Sequence, residues 1–283
     1  MTARAALVVL VLASCGGRDD AARPLTFGGD RPTQLRAPAK LTEGKRYPLY
    51  LVLHGYEGTG FWQTTHMSMN YIPDTHDVLL LAPDGTTDRK GNKFWNADAA
   101  CCDFDGRKPD DAAYLGGLLE DVISKWPVDP ARVYVIGFSN GGFMAHRLAC
   151  ERADLVTAIA SVAGHASSTP GACKPAREVH VLQIHGTADE YVSYTATAGG
   201  IGAEASVMQW ATSNRCGSAR TEGGPFDLES RVPGTETHSH AISGCPANGA
   251  VELWEMRGAR HMPTWTPEFL PTLLGWFADH RRS

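Results

Sequence analysis

One short motif constrains the fold of this chain more than any other, namely Gly-Phe-Ser-Asn-Gly at residues 137–141. It follows the strand-like run Val-Tyr-Val-Ile at residues 133–136 and opens a segment of helical character. Such a pattern is typical of a sharp turn from strand to helix, in which the serine backbone is strained and the glycines let neighbouring backbone approach closely. A bare Gly-x-Ser-x-Gly pattern occurs by chance, but this context predicts that the turn lifts the Ser139 hydroxyl clear of a sheet.

The rest of the chain alternates apolar runs with stretches of helical spacing. This alternation predicts the α/β class, with a mostly parallel central sheet flanked by helices on both faces. The polar segment 217–249, rich in Gly, Ser and Thr, is interpreted as an excursion or short hairpin rather than a domain. We predict strands at 47–53, 78–82, 132–137, 156–163, 179–184 and 251–256, and helices at 111–126, 141–150, 203–212 and 267–279.

A serine hydroxyl is a weak nucleophile until a base removes its proton, and the chain offers eleven histidines for that role. In the α/β-hydrolase fold, where such a turn carries the nucleophile, the order along the chain is serine, acid, histidine. His261 lies between the last predicted strand and the last predicted helix. It is therefore predicted to be the general base for Ser139. His238 and His240 are expected to face solvent, and His185 to shape a loop.

The acid of the triad is expected after an earlier strand, between the serine and the histidine. Asp189 follows the predicted strand at residues 179–184. We predict that it holds the His261 imidazole in the correct tautomer and stabilises its charged form. Glu190 is the neighbouring alternative. A turn aspartate that caps its own loop is the competing structural explanation for Asp189.

The negative charge that develops on a substrate oxygen calls for two preorganised donors, which form an oxyanion hole. One is predicted to be the backbone N–H of Asn140, directly after the nucleophile. The second is assigned to the N–H of Tyr56, because His-Gly at residues 54–55 follows an early predicted strand and glycine permits close backbone approach. A plain turn is the alternative for this loop.

With these residues identified, the chain resembles the polyhydroxybutyrate-depolymerase-like and feruloyl-type esterases of the α/β-hydrolase fold, over nearly all of residues 36–280. The most specific part of the resemblance is Ser-Asn-Gly-Gly at 139–142 together with Cys101-Cys102. It implies extracellular ester hydrolysis by the predicted triad, no cofactor, and a disulfide between Cys216 and Cys245. Further matches are Leu-His-Gly at 53–55, Pro-Asp-Gly at 83–85, Trp-Asn at 95–96, Val-Ala-Gly at 162–164, His-Gly-Thr-Ala-Asp at 185–189, Trp210 and His261.

Two positions beside the predicted triad depart from the pattern of that family. Arg260 precedes His261, where glycine is usual, and Tyr56 stands where a smaller residue is common. Neither change removes a triad residue. Hydroxyalkanoate polyesters or oligomers, feruloyl or acetyl esters, and small soluble esters all stay open as substrates.

Three tryptophans are candidates for the walls of a substrate cleft, although packing in the core or on the surface is the more common role of this residue. Trp95 is the first choice, because Asn96 and the neighbouring cysteines hold its loop. The candidates are Trp62, Trp95 and Trp265.

The first residues predict export rather than a folded element. The apolar run 5–12 is too short to span a bilayer as a helix, and it ends in Leu-Ala-Ser-Cys at 12–15, which resembles the lipobox of bacterial lipoproteins. We predict a lipoprotein signal peptide over 1–15, lipidation at Cys15, a flexible tether over 16–30 and a catalytic domain over 31–283. A plain secretory signal with no role for Cys15 is the alternative. The protein is expected to be lipid-anchored at the bacterial cell envelope or secreted, with the anchor as its membrane contact.

The remaining six cysteines are an even number in an exported chain, which predicts disulfides. The Cys-x-x-Cys spacing of zinc sites does not occur, so no metal is expected. Cys101 and Cys102 are adjacent, and each is expected to pair with a cysteine elsewhere rather than with its neighbour. The net charge is −5 and no basic stripe stands out, so nucleic acid is not expected as a partner.

Ester hydrolysis is thus the predicted function, and two others are kept open. A serine peptidase of the same fold often carries a large extra domain that restricts access, and none is visible in the sequence. A non-catalytic binding module would more commonly have lost a member of the triad, whereas all three residues are present here.

Overall fold

The computed structural model describes residues 23–169, 171–197 and 199–283. The predicted signal peptide, Cys15 and residues 16–22 of the predicted tether lie outside this range. Within it, the strands are β1 (Thr26–Phe27), β2 (Thr33–Gln34), β3 (Tyr47–Leu53), β4 (Leu79–Leu81), β5 (Thr86–Thr87), β6 (Lys93–Phe94), β7 (Val128–Phe138), β8 (Ala158–Val162), β9 (His180–Gly186), β10 (Arg220–Phe226), β11 (Thr237–Ile242) and β12 (Val251–Met256). The helices are α1 (Gly60–His66), α2 (Ile72–His76), α3 (Asp111–Lys125), α4 (Asn140–Glu151), α5 (Ala203–Ser213) and α6 (Phe269–Asp279), with a 3₁₀ helix at Met69–Tyr71.

The central sheet has the strand order β10-β11-β12-β9-β8-β7-β3-β4 among the described residues. The six neighbouring strands β12-β9-β8-β7-β3-β4 are parallel to one another. Strand β11 pairs antiparallel with β12, and β10 pairs antiparallel with β11. Because parallel strands end at the same edge, the loops after β3, β7, β9 and β12 meet at the carboxyl end of the sheet. The residues of the predicted triad and oxyanion hole lie in or directly beside these loops.

The two faces of the sheet are covered by different helices, as predicted. Leu49, Leu51 and Leu53 of β3 pack in one core with side chains of α3, α4 and α5. Tyr50 and Val52, which point the other way, pack in a second core with side chains of α2 and α6. Burial on both sides explains why this strand is apolar along its whole length.

Every predicted strand and helix is present, most with ends within two residues of the prediction. The start of β7 is the exception, since this strand begins four residues early, where Val128 pairs with Tyr47. The polar segment 217–249 contains the hairpin β10–β11, which confirms the hairpin interpretation and places it in the central sheet. Helices α1 and α2 were not predicted.

The predicted boundary between tether and domain is wrong for residues 24–30. Phe27 is buried in the core beside α3, and β1 pairs with β2. The indole Nε1–H of Trp126 donates to the carbonyl oxygen of Pro24 at 2.8 Å. An apolar side chain in this segment stabilises it against the domain, so the folded domain includes residues 24–30, which the prediction assigned to the tether.

The disulfides confirm one prediction and correct another. Cys216 pairs with Cys245, as the family resemblance implied, and Cys150 pairs with Cys173. The expectation that Cys101 and Cys102 reach separate partners is wrong, because they pair with each other. That expectation held that adjacent cysteines cannot easily bond each other, whereas here the peptide bond between them is cis and their Cα atoms are 3.0 Å apart.

Candidate active site

Ser139 occupies the sharp turn between β7 and α4, with backbone angles of φ 52° and ψ −119°. A Cβ atom at Gly137 would overlap the carbonyl of Gly141, and one at Gly141 would overlap the carbonyl of Leu53. Only glycine therefore allows the strand, the turn and the helix to pack this closely. The Ser139 N–H donates to the carbonyl oxygen of Val162 at 2.8 Å and holds the unusual conformation in place.

The structure brings the three residues of the predicted triad into one hydrogen-bonded series. Ser139 Oγ lies 3.0 Å from His261 Nε2, and His261 Nδ1 lies 2.8 Å from Asp189 Oδ2. An ionised carboxylate only accepts hydrogen bonds, so Nδ1 carries the imidazole proton. The bare Nε2 then faces the serine hydroxyl and can accept its proton.

Asp189 is held in place by four groups. Its Oδ1 accepts the backbone N–H groups of Tyr191 at 2.9 Å and Val192 at 2.8 Å. Its Oδ2 faces His261 and lies 3.3 Å from His185 Nε2. Burial acts to raise the pKa of the Asp189 carboxyl, but the hydrogen bonds from His185 and His261 outweigh it and hold the pKa below its usual range.

Glu190, the alternative acid, does not reach the imidazole ring. Its Oε2 instead accepts the backbone N–H of His261 at 3.2 Å, and its Oε1 lies 3.6 Å from Arg260. The geometry therefore favours Asp189 as the partner of the ring.

The loop after β3 passes directly beside the nucleophile. A Cβ atom at Gly55 would lie 3.3 Å from the Cβ of Ser139. No hydrogen bond within the described residues occupies the backbone N–H of Tyr56 or that of Asn140. Both N–H groups of the predicted oxyanion hole are thus available to an incoming acceptor.

Hydrogen bonds of the His54 ring connect this loop to the loop after β4. The N–H of Gly85 donates to His54 Nε2 at 2.9 Å, so the ring proton is on Nδ1, which donates to the carbonyl oxygen of Gly55 at 2.7 Å. Burial lowers the pKa of His54, which favours this neutral form. The backbone that leads into Tyr56 is therefore preorganised.

The prediction that Trp95 lines the cleft is wrong, because Trp95 is completely buried. Its backbone N–H donates to Asn140 Oδ1 at 2.7 Å, and Asn140 Nδ2 donates to its carbonyl oxygen at 2.8 Å. Its indole Nε1–H donates to the carbonyl oxygen of His54 at 3.0 Å. Trp95 thus joins the two loops that carry the predicted oxyanion donors.

Trp62 and Trp265 are also absent from the described residues that line the cleft at Ser139. Trp62 is 40% exposed and stacks on His66, and Trp265 stacks on Phe269 with a centroid separation of 3.6 Å. Each ring packs against an aromatic partner and does not line the cleft, which corrects the prediction for both.

Other aromatic and apolar side chains line the cleft instead, and sequence reasoning missed them. Phe104 and Tyr191 are 70% and 79% exposed, although both are large and apolar. Only their positions indicated them in the sequence. Phe104 lies two residues after Cys102, and Tyr191 lies two residues after Asp189. The large apolar side chains of the lining are Tyr56, Phe104, Phe138, Phe143, Tyr191, Val192 and Met262.

The described residues contain neither a candidate metal-binding cluster nor a candidate membrane-spanning helix. No grouping of three or more His, Cys, Asp or Glu side chains is placed to hold a metal ion in that part of the chain. Nor does any helix there have the length and apolar character needed to cross a membrane.

Residues 43–200 match the model of the phospholipase/carboxylesterase family, and the chain belongs to that family. It is 37% identical over 153 residues to the putative esterase NocK of Nocardia uniformis subsp. tsuyamanensis, covering 54% of this chain and 42% of that protein. It is 29% identical over 203 residues to feruloyl esterase B of Piromyces equi, covering 66% of this chain and 36% of that protein. It is 32% identical over 140 residues to the poly(3-hydroxybutyrate) depolymerase of Ralstonia pickettii, covering 43% of this chain and 26% of that protein. The chain thus spans less than half the length of these curated relatives.

Solved structures show the same fold at low sequence identity. The acetyl xylan esterase from Aspergillus awamori has a TM-score of 0.63 at 14% identity, and the match covers 88% of this chain and 94% of that one. A thermostable esterase has a TM-score of 0.60 at 15% identity, and the match covers 91% of this chain and 62% of that one. Together with the topology of the sheet, these matches confirm the predicted α/β-hydrolase fold.

Replacing Gly141 with Ala tests the close packing around the nucleophile. The added Cβ overlaps the Leu53 carbonyl, so the turn must shift against the loop after β3, and a misplacement of about 1 Å costs on the order of 100-fold in rate. We expect kcat/KM for p-nitrophenyl butyrate to fall by about 10- to 100-fold.

Gly275→Ala in α6 is the matched control, since no atom lies within 4 Å of its added Cβ. This variant should keep wild-type activity and gain up to about 1 kcal/mol of stability from helix propensity. Equal activity of the two variants, with both folded by urea titration, would contradict the packing argument.

Proposed function

We propose that this protein is an extracellular serine carboxylic ester hydrolase with Ser139, His261 and Asp189 as its catalytic triad. The observation that carries the proposal is the hydrogen-bonded series from Asp189 through His261 to Ser139 on a strained turn. Membership of the phospholipase/carboxylesterase family supports the reaction type.

The proposed reaction proceeds through an acyl-enzyme. Ser139 Oγ attacks the ester carbonyl while His261 Nε2 takes the hydroxyl proton, and Asp189 stabilises the resulting imidazolium. The tetrahedral intermediate collapses, its C–O bond to the alcohol breaks, and His261 returns the proton to the leaving alcohol. A water molecule then attacks the acyl group with His261 as base, which releases the acid and regenerates Ser139.

The N–H groups of Tyr56 and Asn140 are proposed to bind the oxyanion. Their immediate surroundings support this role, because Gly55 lies so close to Ser139 that a Cβ atom there would be 3.3 Å from the Ser139 Cβ, and the Asn140 side chain is hydrogen-bonded to the Trp95 backbone. Donors that are already fixed in place lower the barrier without reorganisation during the reaction. Each such donor typically contributes a factor of about 100 to 1,000 in kcat.

The preferred substrate is proposed to be an ester with a hydroxyalkanoate or aromatic, feruloyl-type acyl group. Exposed aromatic side chains such as Phe104 and Tyr191 need apolar surface to cover them, and an acetyl group alone would leave them in water. Glu57 is the only Asp, Glu, Lys or Arg among the described residues of the cleft, which disfavours anionic substrates. Relatives named feruloyl esterase and poly(3-hydroxybutyrate) depolymerase support this range.

The lipobox-like sequence at residues 12–15 supports export and a lipid anchor at Cys15. An anchored enzyme would meet soluble oligomers and small esters at the cell envelope. Recovery of the full chain from membranes, and its loss from them in Cys15→Ser, tests the anchor; an unchanged distribution would rule it out.

Substitutions within the triad test the mechanism. Ser139→Ala should remove turnover of p-nitrophenyl butyrate, methyl ferulate and a 3-hydroxybutyrate oligomer. Asp189→Asn should lower kcat by about 10,000-fold, because the amide no longer fixes the imidazole tautomer.

Glu190→Gln is the matched control for Asp189→Asn, since it neutralises the adjacent carboxylate but keeps an oxygen for the His261 N–H. It should retain most of the wild-type kcat. Activity in Ser139→Ala, or similar losses at positions 189 and 190, would refute the assigned roles.

Phe104→Ala tests the proposed acyl preference. Loss of this ring removes about 1.5–3 kcal/mol of apolar contact when the substrate covers it. We expect kcat/KM for methyl ferulate to fall by about tenfold and that for p-nitrophenyl acetate to change little. Phe61→Ala is the control, because Phe61 is 76% exposed but does not line the cleft. Equal losses on both esters, or the same losses in the control, would argue against the preference.

A further inference from the structure

Hydrogen bonds continue beyond Asp189 into the interior of the protein. His185 Nε2 lies 2.8 Å from the carbonyl oxygen of Val192 and 3.3 Å from Asp189 Oδ2. On its other side, His185 Nδ1 lies 3.2 Å from Gln183 Nε2. Gln183 Oε1 lies 2.9 Å from His146 Nε2, and His146 Nδ1 lies 2.9 Å from Trp210 Nε1.

All four side chains of this series are buried and belong to three elements of the fold. Gln183 and His185 lie on β9, His146 lies on α4 and Trp210 on α5. Because α4 begins directly after Ser139, the series connects the helix that follows the nucleophile to the strand that precedes the acid.

The proton positions in the series follow from its chemistry. The Trp210 indole can only donate, so His146 Nδ1 accepts and His146 Nε2 carries the proton. That proton is donated to Gln183 Oε1, which orients the amide with its Nε2 toward His185. Burial lowers the pKa of His146 to about 4, so its ring is neutral near pH 7.

The orientation of Gln183 selects the tautomer of His185. Gln183 Nε2 donates one hydrogen to the carbonyl oxygen of Gly164 at 2.8 Å and presents the other to His185 Nδ1. His185 Nδ1 is therefore unprotonated, and His185 Nε2 carries the proton that faces Val192 and Asp189. In the opposite tautomer, a nitrogen lone pair would face a carbonyl and a carboxylate, which is repulsive.

We propose that Trp210, His146 and Gln183 form a positioning chain that holds the Nε2–H of His185 between the Val192 carbonyl oxygen, its acceptor at 2.8 Å, and Asp189 Oδ2 at 3.3 Å. Together with the two backbone N–H groups on Oδ1, this donor fixes the rotation of the carboxylate so that Oδ2 faces His261. The inference rests on the proposed function, since it assigns these residues a role in orienting the triad. They are positioning residues, because none of them contacts the reacting atoms.

The first experiment compares two amide substitutions at position 185 in the full chain. The amide nitrogen of Gln can occupy the place of the imidazole Nε2–H, whereas the shorter Asn reaches only the place of Nδ1. His185→Gln should keep kcat for p-nitrophenyl butyrate within about threefold of wild type. His185→Asn should lower kcat by about 10- to 100-fold with little change in KM, the loss expected for a hydrogen bond to a charged group.

The second experiment tests the far end of the chain with matched tryptophans. Trp210→Phe removes the donor to His146, and Trp276→Phe removes a buried donor to Glu252 at 2.8 Å that is not connected to the series. Both should lower the urea midpoint, but only Trp210→Phe should lower kcat, by about 3- to 10-fold.

The measured kcat values distinguish failure of the positioning chain from failure of the proposed function. Equal kcat in His185→Asn and His185→Gln, or equal kcat losses in the two tryptophan variants, would overturn the positioning chain. A kcat loss in proportion to lost stability across all four variants would assign the series a purely structural role and also overturn it. Absence of ester turnover in wild type, or turnover in Ser139→Ala, would instead refute the proposed function.

Discussion

The close packing of main chain around Ser139 is the constraint on which the rest of the site depends. Backbone carbonyls occupy the space where side chains at Gly137 and Gly141 would stand. This contact fixes the distance between the nucleophile turn and the loop after β3, whose backbone amide at Tyr56 is proposed to bind the oxyanion. The backbone strain at Ser139 is offset by the hydrogen bond to Val162 and by two buried cores on either face of the sheet.

The architecture was predictable because it depends on local patterns. A fully buried parallel strand such as β3 must be apolar throughout, and a helix that covers one face of the sheet must show helical periodicity. The triad was predictable for a related reason, since the fold sets the chain order of its members and each follows a recognisable strand. Helices α1 and α2 are short and lack a strong apolar period, so tertiary contacts rather than propensity define them.

Local patterns did not predict the roles of individual aromatic residues. Trp95 belongs to a motif of the family, but which atoms it contacts depends on Asn140 and His54, which are distant in sequence. The pairing of Cys101 with Cys102 joins adjacent residues, which the number and spacing of the cysteines do not reveal. The same limit applies to His185, whose connection through Gln183 to His146 of α4 appears only in the folded structure.

The central claim is that Ser139 becomes acylated, and covalent trapping tests it most directly. The full chain would be treated with a fluorophosphonate, digested with trypsin and analysed by mass spectrometry, with urea-unfolded protein as the control. The account predicts one phosphonyl group per folded chain, on the tryptic peptide of residues 133–147 that contains Ser139, and none on unfolded protein. A folded protein that stays unlabelled, or that carries the label on another peptide, would contradict the account.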